Sequence, residues 1–202
     1  MKFLSLLLCL VPHLALAQTA DNELVNVREV IPDAVIDLKY NTIDNFFNVK
    51  LYTTDECYLA HVAVRHLAVV QDSLKKLGLG IKVWDGYRPR TVQYLMWEIL
   101  PDPVYVADPN SGSNHNRGAA VDVTLVNLST GDELNMPTEF DYFGNMAHHN
   151  WTLGLTPEQI SNRDFLRDMM VNVGGFTLYD AEWWHYTYNP AASLPLLDFQ
   201  LK

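Results

Sequence analysis

Between residues 59 and 77 apolar side chains fall at Leu59, Val62, Ala63, Leu67, Val70, Leu74 and Leu77. The spacing is close to 3.6 and predicts a helix. Thr53, followed three residues on by Glu56, has the form of a capping box and sets the expected start. Lys75 and Lys76 suit the negative end of the helix dipole, and Gly78 suits its stop. Ile81-Lys82-Val83-Trp84 reads as a short strand that runs into the turn-rich Asp85-Gly86-Tyr87-Arg88-Pro89-Arg90. A second helix is expected over 91–100, stopped by Pro101, and a long polar loop over 101–114. Residues 119–126 alternate and are β-branched, so they predict a strand. Thr156 and Pro157 cap and open a third helix that Gly174-Gly175 ends, and 183–188 reads as an aromatic strand. Helices and strands mix without βαβ repetition, which predicts a single α+β domain with an antiparallel sheet flanked by helices.

The first residues follow another pattern. Lys2 precedes an apolar run over 3–14, and Ala15-Leu16-Ala17 places small residues where a signal peptidase reads. This predicts a secretory signal over 1–17, cleavage before Gln18, a mature domain over 18–202, and a periplasmic or secreted location. The run is too short to span a bilayer, and no cysteine follows the small residues, so neither a membrane helix nor a lipid anchor is expected. Cleavage removes Cys9 and leaves Cys57 alone, so an internal disulfide is excluded and Cys57 reads as a small buried apolar residue.

Composition narrows the function. The 202 residues are 49% hydrophobic and 19% charged, enough for a sizeable core, and the formal net charge is −10. An acidic chain has no electrostatic reason to hold a polyphosphate backbone, which argues against a nucleic-acid partner.

Two clusters carry candidate chemistry. In the first, His115 ends the polar loop, Gly118 lets the backbone turn, and Asp122 lies inside the following strand between Val121 and Val123. A carboxylate in an apolar strand needs a partner. That partner is either a metal ion or Arg117. In the second, Glu182 precedes His185 by three residues in the aromatic strand; alone, it could equally be a core histidine with a surface glutamate. Amide-hydrolysing zinc sites combine three protein ligands, an open position for water and a carboxylate that is not a ligand. His115, Asp122 and His185 would supply the ligands, and Glu182 the general base. Arg88, held extended by Pro89, either faces a developing oxyanion or binds loop carbonyls. His61 and His66 lie five apart on the first helix, off a common face, and read as ordinary helix residues.

Ser113-x-His115-x-x-Gly118-x-Ala120-x-Asp122 followed by Glu182-x-Trp184-His185 resembles the zinc D-Ala-D-Ala metallopeptidases. Within them, Asp37-Leu38-Lys39-Tyr40-Asn41-Thr42, Trp84-Asp85-Gly86-Tyr87-Arg88-Pro89 and Glu182-Trp183-Trp184-His185-Tyr186 are similar to the vancomycin-resistance type of D-alanyl-D-alanine dipeptidase. The resemblance covers about residues 35–190. It implies a hedgehog/D,D-peptidase fold, one Zn²⁺ on His115, Asp122 and His185, Glu182 as base and Arg88 at the tetrahedral intermediate. It further implies D-Ala-D-Ala as substrate, with Asp141 on its ammonium group and Ser113 and Tyr40 among its contacts. A murein D,D-carboxypeptidase or endopeptidase is the alternative enzyme, and a hedgehog-like binding module the non-enzymatic one. Two departures stand out. Asn135-Met136-Pro137-Thr138 has proline where the family tends to glycine, which predicts an altered loop before Asp141. The export signal is absent from resistance-type members, which act in the cytoplasm.

Overall fold

The computed structural model describes residues 19–201; the predicted signal, 1–17, lies outside them. Seven strands and four α-helices follow in order: β1 (Leu24–Asn26), α1 (Val27–Val30), β2 (Val35–Ile36), β3 (Tyr58–Ala60), α2 (His61–Lys75), β4 (Leu79–Asp85), α3 (Arg90–Ile99), β5 (Ala120–Asn127), α4 (Pro157–Asp168), β6 (Phe176–Tyr179) and β7 (Glu182–Tyr188). A five-stranded sheet runs β2-β4-β5-β7-β6, and β1 pairs with β3 in a separate ribbon. The expected α+β class holds. The sheet is not wholly antiparallel, because β2 lies parallel to β4 at one edge.

The helix expected after Thr53 begins later, at His61, because Tyr58–Ala60 is taken by strand pairing with β1. Thr53 does not cap it. Its hydroxyl donates to the Leu201 carbonyl, and α2 starts on Ala60 without a side-chain cap. A cap is worth about 1 kcal/mol. Burying each of Leu67, Val70 and Leu74 is worth about 1.5–3 kcal/mol, so the apolar face sets where this helix sits. Leu77 falls beyond that face and is 61% exposed. Gly78 ends the helix in the left-handed region, at φ 74°.

α4 starts on the expected Thr156 cap, and the cap is a full capping box, Thr156 accepting from the Gln159 amide while the Gln159 side chain accepts from Thr156 N–H. It runs into one π-helical turn, Met169–Val173, before Gly174. α3 begins on Pro89, which offers no capping side chain. Asp198, from the carboxy-terminal strap 194–201, accepts instead from Thr91 N–H and hydroxyl at 3.0 and 3.2 Å. The core runs through α2, β4, β5 and β7 and includes Trp84, Trp183 and Trp184. Among the described residues, no helix is long and apolar enough to cross a membrane.

Candidate active site

Strand register assembles the first part of the site. Asp122 on β5 pairs with His185 on β7 and, across a bulge, with Asp85 on β4. His115 arrives from a 3₁₀ turn just before β5. Gly118 closes that turn at φ 63°, and a Cβ there would stand 2.7 Å from the Ala60 nitrogen, so only glycine fits. His185 Nδ1 lies 2.9 Å from Asp122 Oδ1 and 3.2 Å from His115 Nε2, and His115 Nε2 lies 3.5 Å from Asp122 Oδ2.

The neighbours orient these atoms. His115 Nδ1 lies 2.7 Å from the Gly86 carbonyl, which can only accept. The proton is therefore on Nδ1, and the Nε2 lone pair faces the cluster. Thr187 Oγ1, 3.2 Å from His185 Nε2, can accept a hydrogen bond from Nε2–H and leave the Nδ1 lone pair free in the same way. Three lone-pair donors then converge on one point, which suits a cation. Atoms about 2.0–2.2 Å from a tetrahedral zinc stand about 3.3–3.6 Å apart, close to the spacings found here. Two imidazoles with one carboxylate also suit zinc better than magnesium or calcium. Arg117 is not the partner of Asp122; its guanidinium donates to the Leu194 carbonyl. Although burial opposes ionisation, His115 and His185 hold the Asp122 carboxyl well below the usual range.

Glu182, Asp141, Arg88, Tyr40 and Ser113 line the same cavity of about 300 Å³ as this cluster. Glu182 Oε2 is 3.9 Å from His185 Nδ1, near the donors without joining them. Burial pushes its pKa up to about 7, with Asp122 and Asp141 adding to the rise against His185 and Arg88. Asp141 has a left-handed backbone, φ 57°, and accepts from the Tyr40 hydroxyl at 3.0 Å. Burial, reinforced by Asp122, pushes it too up to about 7. The loop with Pro137 still delivers Asp141 to the cavity; it is tied down by Gln159 on the Met136 carbonyl and by Trp183 on Thr138. Ser113 accepts from His115 N–H at 3.2 Å through its hydroxyl.

Arg88 is buried and firmly held. Its Nε and Nη2 donate to Asp85 Oδ2 at 3.1 and 2.7 Å, Nη1 donates to Gln93 at 2.9 Å, and the guanidinium lies 5.2 Å from the Tyr40 ring centre. A guanidinium has five N–H donors, so N–H groups remain for the cavity. The holders Asp85 and Gln93 were not foreseen. Asp85 could have been read from its place three residues before Arg88; Gln93 has no local signal. Thr187, two residues past His185 and hence on the same strand face, was legible by alternation. Cys57 is buried beneath Gly86, and burial pushes its thiol far up, so it is no nucleophile. His66 binds the Gly174 carbonyl, as an ordinary helix residue would.

A donor triad open to a cavity, with a spare carboxylate and a guanidinium beside it, defines a metal-dependent hydrolase. Residues 20–200 match the family described as D-ala-D-ala dipeptidase, Peptidase M15. The chain is 37% identical over 175 residues to a D-alanyl-D-alanine dipeptidase of Escherichia coli K12, covering 87% of this chain and 89% of that one. It is 31% identical over 178 residues to one of Enterococcus faecium, covering 78% and 87%. The solved vancomycin-resistance D,D-pentapeptidase VanY in complex with Zn(II) overlaps 70% of this chain and 78% of that one, with TM-score 0.39 and 15% identity. The chain belongs to the D-Ala-D-Ala dipeptidase family of metallopeptidases.

Proposed function

We propose that this protein is an exported zinc dipeptidase that hydrolyses free D-Ala-D-Ala to D-alanine, with one Zn²⁺ held by His115, Asp122 and His185. The observation that carries the reading is the convergence of Glu182, Arg88 and Asp141 on that triad within one small cavity. About 300 Å³ is the low end of ligand clefts and favours a free dipeptide over a murein strand. Export rests on the Ala15-Leu16-Ala17 pattern.

Zinc, when bound, supplies Lewis-acid activation of water and carbonyl. The protein's own groups do the rest. Glu182 takes a proton from the attacking water and returns it to the leaving amine, which a carboxylate that is not itself a ligand is free to do. The free N–H groups of Arg88 face the oxygen on which negative charge grows, and Asp85 and Gln93 keep them aimed. Asp141 pairs with the substrate ammonium, and Tyr40 fixes its carboxylate. The test is product analysis on D-Ala-D-Ala beside an amino-blocked analogue and a murein stem peptide. Release of D-alanine from the free dipeptide alone is expected; preferential cleavage of the stem peptide would overturn the reading.

A further inference from the structure

The loop that carries Arg88 crosses the turn that carries His115, and three hydrogen bonds join them. His115 Nδ1 donates to the Gly86 carbonyl at 2.7 Å, and Arg88 N–H donates to the His115 carbonyl at 3.1 Å. The third comes from Asn116, whose Nδ2 donates to the Arg88 carbonyl at 2.8 Å. Asn116 is fully buried, and its Oδ1 accepts from Ser113 N–H at 2.8 Å. The backbone of Arg88 is thus gripped on both sides, while Pro89 beyond it has no N–H to contribute. The strap 194–201 lies behind this junction. Leu197 N–H donates to the Asn116 carbonyl at 2.8 Å, the Leu194 carbonyl accepts from Arg117, and the Phe199 carbonyl accepts from the Tyr87 hydroxyl at 3.0 Å. Asp198 caps α3, the helix that presents Gln93 to Arg88.

We propose that Asn116, backed by the carboxy-terminal strap, is a positioning residue that fixes Arg88 relative to the metal donors. It touches neither the donor atoms nor the cavity; it acts through the backbone of Arg88. Of the three bonds at the junction, it is the one that can be removed without altering His115. The inference rests on the role given to Arg88 above. Misplacing a catalytic group by about 1 Å can cost ~10²-fold, so a small shift of the loop would be visible in the rate.

The experiment is a double-mutant cycle on the full-length, zinc-loaded protein with free D-Ala-D-Ala. Asn116→Ala should lower kcat about 10- to 100-fold, with KM and zinc content little changed. In an Arg88→Ala background the same substitution should cost less than about 3-fold, because the group it positions is already gone. Asn116→Asp keeps the size and the acceptor for Ser113 but lacks the N–H for Arg88; it provides the same cycle should the alanine variant not fold. Equal losses in both backgrounds, or no loss beside an intact Arg88, would overturn the proposal while leaving the dipeptidase reading intact. Full kcat in Arg88→Ala alone would overturn the role of Arg88 and this inference with it.

Discussion

Asp122 and His185 are direct cross-strand partners, and their side chains meet at 2.9 Å between Oδ1 and Nδ1. Paired residues of an antiparallel ladder share a face and stand closest together. Two of the three donors are therefore set by sheet register rather than by a loop, and a one-residue slip would send one of them to the opposite face.

Metal content follows from that geometry. The mature chain is expected to hold about one zinc, and His185→Ala to lose it, as read by metal analysis after dialysis. Thr187→Val should bind zinc more weakly, about 10- to 100-fold, because it removes the partner of the outer ring nitrogen of His185.

Glu182→Gln keeps the size of the side chain but cannot accept a proton. Zinc should stay bound while kcat falls ~10²–10⁴-fold. Near wild-type turnover with zinc in place would remove Glu182 from the mechanism and revive the binding-module alternative.

Asp141 should govern recognition of the amino terminus. Removing one partner of a buried charge pair costs ~3–5 kcal/mol, so Asp141→Asn should weaken use of the free dipeptide by about two to four orders of magnitude and spare an amino-blocked analogue. Burial raises its carboxyl above the ordinary aspartate range, so use of the free dipeptide should also decline as the pH falls and Asp141 protonates. Parallel losses on both substrates would exclude this role.

The same residue should limit the stability of the metal-free protein. Burial raises the Asp141 pKa from 3.8 to about 7, with Asp122 and Asp85 adding and Tyr40 and Arg88 opposing. The folded state therefore favours the protonated form. That stabilisation is complete below pH 3.8 and is lost as the pH climbs through about 7. Metal-free Asp141→Asn should accordingly melt higher than wild type at pH 8, by roughly 3–6 °C for about 1–2 kcal/mol after solvent screening. The difference should shrink at pH 4; a gain independent of pH would rule out the charge as its cause.

Export makes its own prediction. Mass spectrometry of the protein from an envelope fraction should find a chain beginning at Gln18. Recovery of only an intact Met1 form from the cytoplasm would refute it.

The long elements were legible because their periodicity is local. α3, β5, β7, and α4 together with the π-helical turn that follows it, lie within a residue or two of where the pattern of polar and apolar positions puts them. β2, with two residues, and β6, with four, are too short to display a period, and the parallel pairing of β2 with β4 is a tertiary choice. The false start of α2 has a similar origin. Thr53 and Glu56 have the composition of a cap, but pairing of Tyr58–Ala60 with β1 decides the geometry. His115, Asp122, Glu182 and His185 could be picked out because each pair is close in the chain and chemically conspicuous. Gln93 and Asn116 could not, since their task is to hold Arg88, and nothing but the folded chain brings them to it.

The strap also bears on synthesis. The ribosome makes Arg88 and α3 about a hundred residues before Asp198, which caps that helix. This corner of the molecule therefore stays incomplete until those later residues have been made. The cap on α3 forms only after residues 194–201 emerge.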